Sequence, residues 1–141
     1  LGPVGAGNET MLEKQTLVAG NIAAMGEALK LATKAGLAPE VVFNAVKGGL
    51  AGSNVLNAKA PMVIKRTFNP GFRIALHQKD LRNALLAAES MKVSLPLTSA
   101  VQNMLMALMN NGKGSLDHSA IVTVVEQMAG VEIKKSATAK A

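Results

Sequence analysis

Three stretches of this 141-residue chain carry residue types that could do chemistry. Gly2, Gly5 and Gly7 spell G-x-x-G-x-G at its start. A dinucleotide fingerprint would follow a strand, open a helix and meet an acidic residue about 20 positions later. No strand precedes these glycines and the spacing differs, so a linker entering a helix is the better reading. His77, Lys79 and Asp80 lie within one turn of a long helical segment, with Lys79 on the face of Leu76, Asn83 and Leu86. A metal site would need more ligands, since neither His77 nor His118 belongs to a His-x3-His pair. A nucleophilic triad would need a Ser or Cys in a strained turn, and none is evident. Lys79-Asp80 therefore reads as a solvated helix pair. In Asp117-His118-Ser119 the aspartate is better placed as a helix cap than as a catalytic acid. Met104, Met106, Met109 and Met128 could form an adaptable binding surface, but core filling is the simpler account.

The elements that must position these residues are helices. Asn8 can cap a first helix, with Glu9 in its first turn, running to about Lys34 and stopped by Gly36. Its apolar residues form two stripes, one with Leu12, Ala19, Ile22, Met25 and Leu29, the other with Leu17, Ala24, Ala28, Leu31 and Ala35. A helix apolar nearly all round is central or shared between subunits. Gly20 and Gly26 each cost about 1 kcal/mol of helix propensity, which close approach of a neighbour would offset. Pro39 opens a second helix from Glu40 to about Lys47. Gly48-Gly49-Leu50-Ala51-Gly52-Ser53 is a turn from which Ser53 can cap a third helix, ended or kinked at Pro61. After the turn Asn69-Pro70-Gly71, a helix over Ile74–Lys92 carries a core stripe of Ile74, His77, Leu81, Leu85 and Ala88. Pro96 opens another, which runs from Leu97 to about Met109. Asp117 caps the last, whose Ile121, Val124, Val125 and Met128 face the core. The tail from Lys134 is expected to be disordered. No repeat and no strand is evident.

Composition agrees with an all-α fold. Hydrophobic residues make up 49% but aromatics only 2%, with no Trp or Tyr. Ala, Leu, Val and Met must fill the core, which favours closely packed helices over sheets. The absence of cysteine removes disulfides and thiolate metal sites. No apolar run approaches the roughly 18 residues of a spanning helix, and no signal segment is evident, so a cytoplasmic location away from membranes is expected. The net charge of +6 is scattered apart from Lys134, Lys135 and Lys140 in the tail. With little to stack on bases, nucleic-acid binding is not expected.

Five motifs in order change the functional reading: Gly2-Pro3-Val4-Gly5-Ala6-Gly7-Asn8 before a long helix, Gly48 to Ser53, Phe68-Asn69-Pro70-Gly71-Phe72, Lys79-Asp80-Leu81 and Asp117-His118-Ser119-Ala120. Together they resemble the C-terminal domain of the β-hydroxyacid dehydrogenases, from residue 1 to about 133. The resemblance implies a bundle of 6–7 helices around a long N-terminal helix. It also implies NAD or NADP held by a preceding Rossmann domain that these residues do not contain, and a homo-oligomer, at least a dimer, formed through the helical faces. Lys79 matches the family's cofactor-contacting lysine, and Gly48, Gly49 and Ser53 fall in the segment lining the substrate pocket. The family's catalytic lysine, in the pattern G-x-G-x-x-x-K, falls on Met11. A thioether cannot exchange a proton with an alkoxide. Lys14, where an asparagine would be expected, is not read as its substitute.

The implied chain is thus an inactive dimerisation and substrate module with no cofactor of its own. The alternative is an oxidoreductase fragment that still binds a hydroxyacid or nicotinamide weakly. The departures at Glu9, Met11, Glu13 and Lys14 cluster on the first turns of the long helix. They fit a truncated and redesigned assembly module, with natural divergence as the other source.

Overall fold

A computed structural model describes residues 2–136. Its spine is α1 (Ala6–Lys34), around which pack α2 (Pro39–Val46), α3 (Asn54–Lys65), α4 (Ile74–Ser90), α5 (Pro96–Asn110), a 3-10 turn (His118–Ile121) and α6 (Val122–Ala129). Among the described residues there is no strand, only an isolated bridge between Arg73 and Asp117. The expected all-α bundle around a long N-terminal helix is what forms. No helix among the described residues is long and apolar enough to cross a membrane.

The first apolar stripe of α1 behaves as its spacing predicts. Ala19, Ile22, Met25 and Leu29 are buried, joined by Gln15 at the N-terminal end. The second stripe is not enclosed: Leu17 is 68% exposed and Leu31 70%, and Ala24, Ala28 and Ala35 are exposed between and beyond them. On α4, Ile74, His77, Leu81 and Ala88 point inward, with Ala84 buried and Leu85 only partly so.

Several local expectations need correction. Gly5, in the left-handed region with φ 101°, precedes α1 in place of Asn8. Asn8 instead donates its backbone N–H to the Gly5 carbonyl. Pro61 does not end α3, which continues to Lys65 because Val63 and Ile64 are drawn into the core. Α4 stops at Ser90, after which Lys92 takes φ 58° and Val93 donates back to the Ala88 carbonyl. Met106, Met109 and Met128 lie at the surface, the last 72% exposed, so these three do not fill the core. Lys134–Ser136, assigned above to a loose tail, are held: Lys135 donates to the Ile64 carbonyl and Ser136 to the Glu40 carboxylate. The rest of that tail lies outside the described residues.

The two helix glycines have different reasons to exist. A Cβ on Gly26 would stand 2.8 Å from Val122 Cγ1, so α6 sits against α1 there because Gly26 has no side chain. A Cβ on Gly20 would meet nothing within 4 Å, so close approach explains only one of the pair. Gly26→Ala should therefore destabilise the fold by about 1–3 kcal/mol through overpacking. Gly20→Ala should stabilise it by up to about 1 kcal/mol through helix propensity. Urea unfolding of the two variants checks the opposite signs.

Candidate functional site

Asp117 and its neighbours form a buried polar cluster beneath the first turns of α1. The Asp117 side chain, wholly buried, accepts from the Lys59 ammonium at 3.1 and 3.2 Å, from the Gly71 N–H at 3.0 Å, from Phe72 at 3.1 Å and from Ser119 at 2.9 Å. It is a cap, as expected, but of the 3-10 turn that leads into α6 rather than of that helix, and it also ties the 68–73 segment to the turn. The Asp117 N–H reaches the Phe68 carbonyl at 3.0 Å, and the His118 N–H reaches that of Phe72 at 2.8 Å. Burial by itself would raise the carboxyl's pKa. Hydrogen bonds from Ser119, from the Phe72 N–H and from Lys59 outweigh it and bring the value to about 2.

That arrangement aims His118 at His77. Their Nδ1 atoms are 2.7 Å apart, and His77 Nε2 lies 3.1 Å from the Gln15 backbone carbonyl. Phe72 packs on both rings, with centroids 5.6 Å from His77 and 5.4 Å from His118. Burial lowers the pKa of His77. Burial, then the neighbouring His77 and Lys59, bring His118 down to about 4. Both rings are neutral at physiological pH.

Met11 belongs to the inward stripe of α1, in line with Gln15, Ile22 and Leu29, but lies where the helix emerges from the bundle and is 49% exposed. The other sequence-derived candidates lie elsewhere. Lys79 is exposed on the side of α4 away from His77, since residues two apart on a helix do not share a face. Gly48 and Gly49 are exposed, and Ser53 Oγ accepts from the Leu56 N–H at 2.9 Å, capping α3. Their turn reaches a groove of about 250 Å³ bounded by Asn21, Ala24, Met25, Phe43, Val46 and Leu56. Asn21 is ten residues beyond Met11, about 15 Å along α1, so one chain does not bring the turn and Met11 together. Among the described residues no cluster of three His, Cys, Asp or Glu could hold a metal.

Sequence reasoning missed Gln15, Lys59 and the histidine pairing. A signal for the last existed: a histidine on an apolar stripe needs a buried partner, and the other histidine follows a capping aspartate. Lys59 gave no such signal.

The pair makes the fold acid-sensitive. The folded state keeps His118 neutral, so the unfolded chain, with its ordinary value of 6.5, takes up the proton first. Stability should be full above pH 6.5 and fall as pH drops towards about 4, by roughly 3 kcal/mol. Asp117 should then lose its contribution between pH 3.8 and about 2. Denaturant midpoints measured from pH 7 to 4 check the first window. A flat profile there would contradict it.

Comparison with known proteins gives the cluster its family. Residues 5–125 match the family described as the NAD-binding domain of NADP-dependent 3-hydroxyisobutyrate dehydrogenase. The chain is 46% identical over 129 residues to 2-hydroxy-3-oxopropionate reductase of Escherichia coli (strain K12), covering 92% of this chain and 44% of that protein. It is 33% identical over 134 residues to 2-(hydroxymethyl)glutarate dehydrogenase of Eubacterium barkeri, covering 94% and 44%. Its fold superposes on a crystal structure of 3-hydroxyisobutyrate dehydrogenase from Salmonella typhimurium with TM-score 0.81 and 29% identity, over 85% of this chain and 42% of that one. The chain thus spans less than half the length of these relatives. With the helical fold and the five ordered motifs all in agreement, the chain belongs to the β-hydroxyacid dehydrogenase family, whose members are NAD(P)-binding oxidoreductases.

Proposed function

We propose that this chain is the helical substrate and dimerisation domain of a tartronate semialdehyde (2-hydroxy-3-oxopropionate) reductase, and that it does not turn over substrate as it stands. Met11 carries this reading. In the family the corresponding side chain is the lysine that gives the forming alcohol its proton, and the Met11 thioether has none to give. Lys14 is exposed, with no hydrogen bond or ion pair among the described residues. It stands about 4.5 Å further along the helix and is not assigned the role. The reduced form of NAD or NADP would supply the hydride when bound. The contribution of this chain is Lys79, an exposed cation suited to the cofactor's negative charge, and the Gly48–Ser53 turn on the substrate side.

The test is NADH oxidation by the purified protein with 2-hydroxy-3-oxopropionate. The expected rate is that of the buffer, and turnover above it would overturn the reading. The second reading, weak retained binding, is favoured by Lys79, which has no ion pair among the described residues. Calorimetric titration with NADH and with tartronate separates the two. Saturable millimolar binding lost in Lys79→Ala supports retention, whereas no heat favours a purely structural module.

The partner in this reading is a second copy. The second stripe of α1 leaves Leu17, Ala24, Ala28, Leu31 and Ala35 exposed along one helix face, and unpartnered apolar surface of this kind marks interaction sites. The alanines let another helix approach at the short end of the usual 8–10 Å range. Light scattering should give at least a dimer, and Leu31→Glu should shift it towards monomer. A monomeric wild type at high micromolar concentration would rule this out.

A further inference from the structure

The two hydrogen bonds of the histidine pair can be satisfied in only one way. The Gln15 carbonyl can only accept, so His77 Nε2 carries the hydrogen between them. A neutral His77 then has a bare Nδ1, and the hydrogen across the 2.7 Å contact must sit on His118 Nδ1. The sequence of donation is His118 Nδ1–H to His77 Nδ1, and His77 Nε2–H to the Gln15 oxygen. It runs from the 3-10 turn through α4 to α1.

The end point is informative. Gln15 is the first buried residue of α1, and every residue from Gly7 to Lys14 is exposed except the half-buried Leu12. Met11 lies one turn before Gln15 on the same face. The His77 bond is therefore the first polar attachment of α1 to the bundle below the turn that carries residue 11. Two features hold the His77 ring: Phe72 stands edge-on to it at 75°, and His118 is fixed through its own N–H on the Phe72 carbonyl.

We propose that His77 is a positioning residue, oriented by His118, that sets the height and rotation of the α1 turn bearing residue 11. The functional weight of that turn rests on the reading of Met11 given above, but the positioning does not, and it is measured without activity. The charged groups acting on the pair are Asp80 of α4, Lys59 of α3 and Asp117 before the 3-10 turn. Α1 supplies only the Gln15 carbonyl, and α5 carries no ionisable residue. Protonation of His77 at Nδ1 removes the acceptor that His118 uses and breaks the sequence of donation, whereas protonation of His118 at Nε2 leaves its Nδ1–H donating.

Amide hydrogen exchange on His77→Phe tests this, because phenylalanine keeps the ring against Phe72 and deletes both bonds. The expected result is exchange about tenfold faster for the amides of residues 11–16, with those of residues 22–29 unchanged. Equal acceleration along the whole helix would mean a merely structural role and would overturn the proposal. Should that variant fail to fold, nitrogen-15 spectra of the wild type decide. His77 must appear as the Nε2–H tautomer and His118 as the Nδ1–H tautomer at pH 7. As His77 takes up a proton on acidification and its Nδ1 ceases to accept, exchange at residues 11–16 must rise relative to residues 22–29. The opposite tautomer on either ring, or a constant ratio, refutes the proposal.

Discussion

One buried carboxylate organises the region under the start of the long helix. Asp117 collects a lysine ammonium and three backbone N–H groups from two separate segments, and nothing of it reaches water. A carboxylate taken out of water is costly unless nearly every lone pair finds a donor. Here the donors come from α3, from the 68–73 segment and from the 3-10 turn. All three are fixed at once. The adjoining hydrogen bonds from Ile74 to the Leu116 carbonyl and from Ala75 to that of Gly114 satisfy the opening N–H groups of α4, which has no side-chain cap. The histidine pair, the aromatic ring over it and the anchorage of α1 follow from that placement.

A second ion pair does similar work at the other end of the bundle. Arg66, in the left-handed conformation at the end of α3, donates to Glu126 of α6 at 2.6 Å and to the Ile133 carbonyl at 3.1 Å. The Ile133 N–H donates to the same carboxylate. The two clusters bracket a core of buried aliphatic side chains, with the partly buried Phe43 and Phe68 packed against it. Small side chains let helices approach closely, as at Gly26, and the buried charges fix which helices meet. The same economy of side chains leaves the outer stripe of α1 uncovered, a face suited to another helix rather than to water.

Much of the fold could be read from the chain because its signals are local. The inward stripe of α1, the Ser53 and Asp117 caps and the opening of α5 at Pro96 depend on residues within a turn of each other. Contacts across the fold were not legible. Lys59 is 58 positions from Asp117, and no spacing rule joins them. Pro61 is a helix breaker by local rule, yet the burial of Val63 and Ile64 carries α3 past it. The surface methionines were misplaced because a methionine's burial depends on which neighbours cover it. The candidate site divided the same way. The identity of residue 11 follows from the ordered motifs, but its place above a histidine pair needed the packed structure, as did the distance between it and the Gly48–Ser53 turn.

The organising role of Asp117 is tested most directly by a double-mutant cycle with Lys59. Asp117→Asn should cost about 3–5 kcal/mol in urea unfolding. Adding Lys59→Met should recover only a minor part, because the Gly71, Phe72 and Ser119 N–H groups still face an amide in place of a carboxylate. If Asp117→Asn unfolds within 1 kcal/mol of the wild type, as roughly expected of an ordinary exposed ion pair, this carboxylate does not hold the site together.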